Sequence, residues 1–309
     1  MNHFIELKDF TAKQINAMVK LSYDMKINHL KYTKVLKGKT VGILFQKPSL
    51  RTKTAFCVGA MQLGANVIYY SPDEVRLGKR ERICDASRTM SRYLDGVVMR
   101  TFHHSDIVEF AKYSSVPVVN GLSDILHPSQ VLADVLTINE YKKNIKKIKV
   151  AYIGDGNNVC HSLMYALAIL GGDLHIASPK GYMPSTKVFK DIASNSQMKG
   201  NITIVNNPKQ AAKDADVLYT DVWVSMGDEA QRSKRKKAFG GFQVNDNLLK
   251  TAKKNCIVMH CLPAHRGEEI TDSVLDGKQS VVFTQAENRL YAAKAIFASL
   301  ILRGQTRHK

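Results

Sequence analysis

The segment PSLRTKTAF, Pro48 to Phe56, sets Ser49, Arg51, Thr52 and Lys53 at the start of a helical pattern that follows the apolar run VGILF. Cations at a helix N-terminus oppose the helix dipole and cost about 0.3–1 kcal/mol each unless an anion neutralises them. With Ser49 as the N-cap and Leu50 to Thr52 in the first turn, unpaired amides, two hydroxyls and the Arg51 guanidinium converge on a site suited to phosphate. A helix cap with a solvated arginine is the other reading of the same residues. Arg100 ends the apolar run Gly96 to Met99, which places it at a strand's carboxyl end, where open α/β sheets put their ligands. His260 and Cys261 in HCLP end another such run, and His127 and Gln130 in LHPSQ precede a helical pattern. Taken singly, His127 reads as a satisfied loop histidine and Cys261 as a small buried hydrophobe.

Positioning these groups requires alternating strands and helices. Short β-branched runs near Thr40–Phe45, Asn66–Tyr70, Gly96–Met99 and Val116–Val119 predict strands in the first half. Lys149–Gly154, Asp173–Ala177, Ile202–Val205, Val217–Thr220, Ile257–His260 and Ser280–Phe283 predict them in the second. Amphipathic stretches lie between, so the expected class is α/β: two domains, each a mainly parallel sheet flanked by helices, facing a shared cleft. PSQVLADVLTINEYKKNIKK has apolar residues at helical spacing and predicts a connecting helix. The expected domains are 1–138 and 139–285, with 286–309 a strongly apolar helix returning to the first.

The 309 residues are 44% apolar, which suffices for two cores. No apolar run is long enough to span a membrane, and the N-terminal residues lack a signal-peptide pattern, so a cytoplasmic location is expected. Five scattered cysteines without a CxxC pair argue against a disulfide framework or a zinc ribbon. The net charge of +18 admits nucleic acid as a partner, but it is diffuse and lacks any recognised readout element. GDGNN, Gly154 to Asn158, follows a strand and precedes a helix. It is not GxGxxG, and no acidic residue ends the next strand, so a nicotinamide cofactor is not expected.

The ordered set SLRT, MRT, HPSQ, DVWVSMG, HCLP and QAENR resembles the motifs of the aspartate/ornithine carbamoyltransferase family, from about Phe45 to Arg303. The resemblance implies transfer of a carbamoyl group from carbamoyl phosphate to L-ornithine, giving L-citrulline, with no metal or other cofactor. It implies that Ser49, Arg51, Thr52 and the Leu50 amide hold the phosphate, and that Arg100, His127 and Gln130 grip the carbamoyl group. Arg289, Cys261 and the Leu262 carbonyl complete the carbamoyl phosphate ligands, and Arg76 joins them from a loop that reaches a neighbouring subunit. Asn158, Asp221, Ser225 and Met226 would take ornithine. Arg100, His127, Asp221 and Cys261 carry the catalytic roles. Two positions depart from the family pattern: Leu50 stands where many members have threonine, and Arg76 where ornithine-type members commonly have glutamine. The first leaves the amide in place, and the second retains a group able to contact phosphate.

The resemblance further implies a homotrimer or an assembly of trimers, with no nucleic-acid or membrane partner. Aspartate, putrescine or an acylated ornithine stays open as the acceptor, with the SMG loop favouring free ornithine. A basic nucleic-acid-binding protein is the reading from another class.

Overall fold

The computed structural model describes residues 3–225 and 229–304. The chain divides into two compact units, Met1–Leu136 with Glu287–Lys309 and, between them in sequence, Thr137–Ala286.

The first unit holds strands β1 (Thr40–Phe45), β2 (Asn66–Tyr70), β3 (Gly96–Arg100) and β4 (Val118–Leu122) in the order β2-β1-β3-β4, all parallel. Val41 to Phe45 and all of β3 are buried, as continuous apolar runs must be when helices cover both faces of a parallel sheet. β4 lies two residues later than its apolar run predicts. The chain near the N-terminus runs alongside it, with Phe4 donating to Val118 and accepting from Asn120, each at 2.8 Å. The core gathers Leu44, Val97, Met99, Ile107, Phe110 and Val118. The long helix Val282–Gly304 carries the chain from the second unit into this one. Its Phe297 meets Phe56 edge to face at 5.5 Å, and Ala292, Ala293, Ile296 and Phe297 are all buried.

The second unit holds β5 (Lys149–Ile153), β6 (Asp173–Ala177), β7 (Asn201–Val205), β8 (Val217–Thr220) and β9 (Ile257–His260) in the order β7-β6-β5-β8-β9, again parallel. Its core includes Ile153, Leu218, Trp223, Phe239 and Val258. The strand predicted at Ser280–Phe283 is corrected to a single bridge from Ser280 to Val258, after which Val282 starts a helix. Strand order reverses between β1 and β3 in one sheet and between β5 and β8 in the other. A crevice opens at the carboxyl ends of such strand pairs, because their following loops run to opposite faces.

Candidate active site

In the first unit the reversal point lies between β1 and β3, where Phe45 pairs with Arg100. The helix that follows β1 begins at Arg51, one residue later than predicted. Its N-cap is Leu50, with φ −76° and ψ −63° and no side-chain cap, so Ser49 is not the capping residue. The Leu50 carbonyl accepts from the Thr54 amide at 3.0 Å and from the Thr54 hydroxyl at 2.8 Å. The preceding amides, Arg51 to Lys53, have no carbonyl one turn back and stay available to a ligand.

Around this terminus the unit gathers buried polar groups. Thr52 is buried, and the buried Arg289 guanidinium donates to its hydroxyl. Arg100 is 8% exposed, and its Nε has no hydrogen-bond partner among the described residues. Burial, then the nearby charges of Arg289 and Arg51, bring the Arg100 pKa down to about 10. His127 is 5% exposed, and burial followed by Arg289 and Arg100 pushes its pKa well below the usual imidazole range. Gln130 donates from Nε2 to Asp134 at 2.9 Å, while its Oε1 is buried without a partner among the described residues. Clustered cations that depress one another's proton affinity are a site prepared for an anion, and a neutral imidazole beside them can donate a hydrogen bond without adding charge.

The neutral state of His127 has a consequence for stability. The unfolded chain takes up a proton there below about pH 6.5, and the folded chain does not. Stability is therefore expected to fall as pH drops below that value, by up to about 1.4 kcal/mol per pH unit from this group. Denaturant melts of wild type and His127→Gln between pH 5 and 7.5 measure it. The variant should lose one proton's worth of slope.

In the second unit the reversal point lies between β5 and β8. The turn after β5 is Gly154 to Asn158, where a Cβ on Gly156 would fall 2.2 Å from the Pro184 nitrogen, so no side chain fits. Asn157 caps the following helix by accepting from the Val159 and Cys160 amides at 3.0 and 3.1 Å. Its Nδ2 donates to Asp221 Oδ2 at 2.7 Å. Asp221, just after β8, also accepts from the Val222 amide at 2.8 Å and from Cys261 Sγ at 2.9 Å. Cys261 follows β9. GDGNN, DVWVS and HCLP thus meet on one buried carboxylate. Asn158 is half-buried at the first position of the helix, and Ser225 is half-buried. Met226 lies outside the described residues.

His260 is fully buried. Its Nδ1 accepts from the Leu262 amide at 2.9 Å, so the ring proton sits on Nε2, which faces Glu269 Oε1 at 3.0 Å. Leu262 has φ 58°, a left-handed backbone uncommon for a branched residue, and precedes a cis proline. The ligand atoms of Asp221, His260 and Cys261 lie within 4.8 Å of one another. Both imidazole nitrogens are already engaged and the thiol donates to the carboxylate, so the group is built as a hydrogen-bond network and does not fit a metal centre.

Sequence reasoning missed three participants. Asn157 is the residue that touches Asp221, and only its cap-forming type hinted at this. Glu269 carries no local signal, since it reaches His260 across a loop. Arg235 stands among the basic residues Arg232 to Lys237, where sequence gives no sign of burial; it is 8% exposed, bonds Asp155 at 2.8 Å and the Trp223 carbonyl at 3.0 Å, and lies over the Tyr182 ring. Arg76 is exposed at φ 22° and lines a basic recess of about 610 Å³ with Pro72, Lys79 and Arg80, none of which belongs to the group around Arg100.

Comparison with known proteins gives matches over nearly the whole chain. Residues 2–140 match the family model described as aspartate/ornithine carbamoyltransferase, carbamoyl-P binding domain, and residues 146–300 match its Asp/Orn binding domain. An ornithine carbamoyltransferase of Thermococcus kodakarensis is 51% identical over 295 residues, 94% of each chain. One from Pyrococcus furiosus, named anabolic, is 48% identical over 295 residues, again 94% of each. The solved structure of ornithine carbamoyltransferase from that organism superposes with a TM-score of 0.92 at 47% identity, covering 96% of both chains.

Proposed function

Because the chain belongs to the aspartate/ornithine carbamoyltransferase family, we infer that it joins carbamoyl phosphate to the δ-amine of L-ornithine, releasing L-citrulline and phosphate. The unit holding β1–β4 takes carbamoyl phosphate, and the unit holding β5–β9 takes ornithine. The carrying observation is the group formed by Arg100, Arg289 and the buried His127 beside the open helix terminus at Arg51. Ser49, Arg51, Thr52 and the Leu50 amide hold the phosphate. Arg289 steadies Thr52. Arg100 and neutral His127 donate to the carbonyl oxygen as negative charge develops there. Gln130 grips the carbamoyl group, Cys261 belongs to the substrate pocket, the Leu262 carbonyl lies near the carbamoyl amine, and Arg76 reaches phosphate from a neighbouring subunit.

Asn158 binds the ornithine carboxylate. Asp221, with Ser225 and Met226 beside it, retains the α-ammonium or relays a proton, and Cys261 holds Asp221 in place. An alkylammonium has a pKa of about 10.4, and only its free amine attacks. The cations around phosphate disfavour a second ammonium nearby, so deprotonation accompanies binding. The rate is therefore expected to rise from about pH 6 to 9 under subsaturating ornithine. A citrulline assay over that range, with aspartate, putrescine and N-acetylornithine as competing acceptors, tests the reading. Product from ornithine alone supports it; a flat pH profile or preference for another amine defeats it.

The reaction serves arginine biosynthesis in this reading, in keeping with the anabolic relative. Among the described residues no helix is long and apolar enough to cross a membrane. A cytoplasmic homotrimer, or an assembly of trimers, is proposed; light scattering at the mass of three chains or a multiple supports it.

A further inference from the structure

Gln130 and Asp134 stand one turn apart on the helix Pro128–Lys142 and are 1% and 0% exposed. A glutamine amide can present either its oxygen or its nitrogen to a ligand. Which end it presents decides what it recognises. Here Asp134 Oδ1 takes an Nε2 hydrogen at 2.9 Å, which leaves Oε1 buried and without a partner among the described residues. The reversed amide would set two oxygens against each other. We propose that Asp134 is a positioning residue that locks Gln130 as an acceptor, so that the site selects an acyl phosphate whose carbonyl carbon bears an NH2 group over one of the same shape that bears a methyl group. The proposal rests on Gln130 facing the carbamoyl amine.

Acetyl phosphate is the discriminating probe, since it replaces the carbamoyl amine by a methyl group and keeps the carbonyl and phosphate. A site with a buried acceptor left unpaired rejects the analogue that lacks the donor. Wild-type enzyme is expected to bind carbamoyl phosphate at least about tenfold more tightly than acetyl phosphate, read as KM against inhibition constant. Asp134→Asn, which keeps the shape but can also donate, should lower that preference about tenfold while the acetyl phosphate constant moves less than about twofold. If that variant does not fold, Asp134→Thr, whose hydroxyl also donates and accepts, makes the same test. In a double-mutant cycle with Gln130→Ala, the Asp134 change should add nothing.

Equal weakening of both ligands, an unchanged preference or additive effects in the cycle would overturn the proposal. A wild-type enzyme that forms citrulline without preferring carbamoyl phosphate would overturn the role of Gln130. Absence of citrulline formation would instead overturn the functional reading beneath both.

Discussion

Arg51→Ala is expected to lower kcat/KM for carbamoyl phosphate by about 10³-fold or more, the scale seen when an arginine that stabilises a phosphoryl group is removed. Arg51 is half-buried at the first position of its helix, and its charge depresses the proton affinity of Arg100. Alanine favours helix formation, and removing a cation from this end relieves an unfavourable dipole interaction of about 0.3–1 kcal/mol. The same variant should therefore melt no lower than wild type. Loss of activity with unchanged or raised Tm marks a ligand-binding arginine; loss of both would mark a structural one. Citrulline kinetics and calorimetry on one preparation separate the cases.

Asp221→Ala is expected to lower kcat/KM for ornithine by about 10²- to 10³-fold, with the KM for carbamoyl phosphate nearly unchanged. Asp221 is 6% exposed and accepts from Asn157, Val222 and Cys261, so truncation strands three donors. Each buried donor left unsatisfied costs about 1–3 kcal/mol, and water entering the vacated space offsets part of that. Asp221→Asn keeps the volume but not the charge. If Asp221 holds an ammonium or moves a proton, Asn is nearly as damaging to turnover as Ala, while stability largely returns. A variant whose activity returns together with its stability would show that the carboxylate serves only to brace the loop.

Much of the architecture can be read from the chain because parallel strands covered on both faces are continuous apolar runs, and β1, β5 and β9 are such runs. The positions of the candidate residues are legible for a related reason: Arg100, Asp221 and Cys261 each sit at or just past the end of one, and strand ends at a reversal point are where open α/β sheets put ligands. The failures have local causes. Val281, Val282 and Phe283 form an apolar run too short to distinguish strand from helix. Ser49 has the composition of a cap, but Leu50 already takes a helical backbone and leaves the hydroxyl outside the capping position. GDGNN contains two asparagines, and composition does not say which one faces Asp221. The pairs His260–Glu269 and Asp155–Arg235 join residues 9 and 80 positions apart, so no periodicity announces them.

The first unit is assembled from two separated stretches of sequence, and that ordering reaches back to synthesis on the ribosome. Residues 137–286 are contiguous and can collapse as soon as they emerge, whereas Thr52 has no Arg289 beside it, and Phe56 no Phe297, until the segment from Glu287 onward has been made. A nascent chain halted before that point lacks the Arg289 guanidinium against Thr52 and the Phe297 ring against Phe56, so this part of the first unit is among the last to be completed during translation.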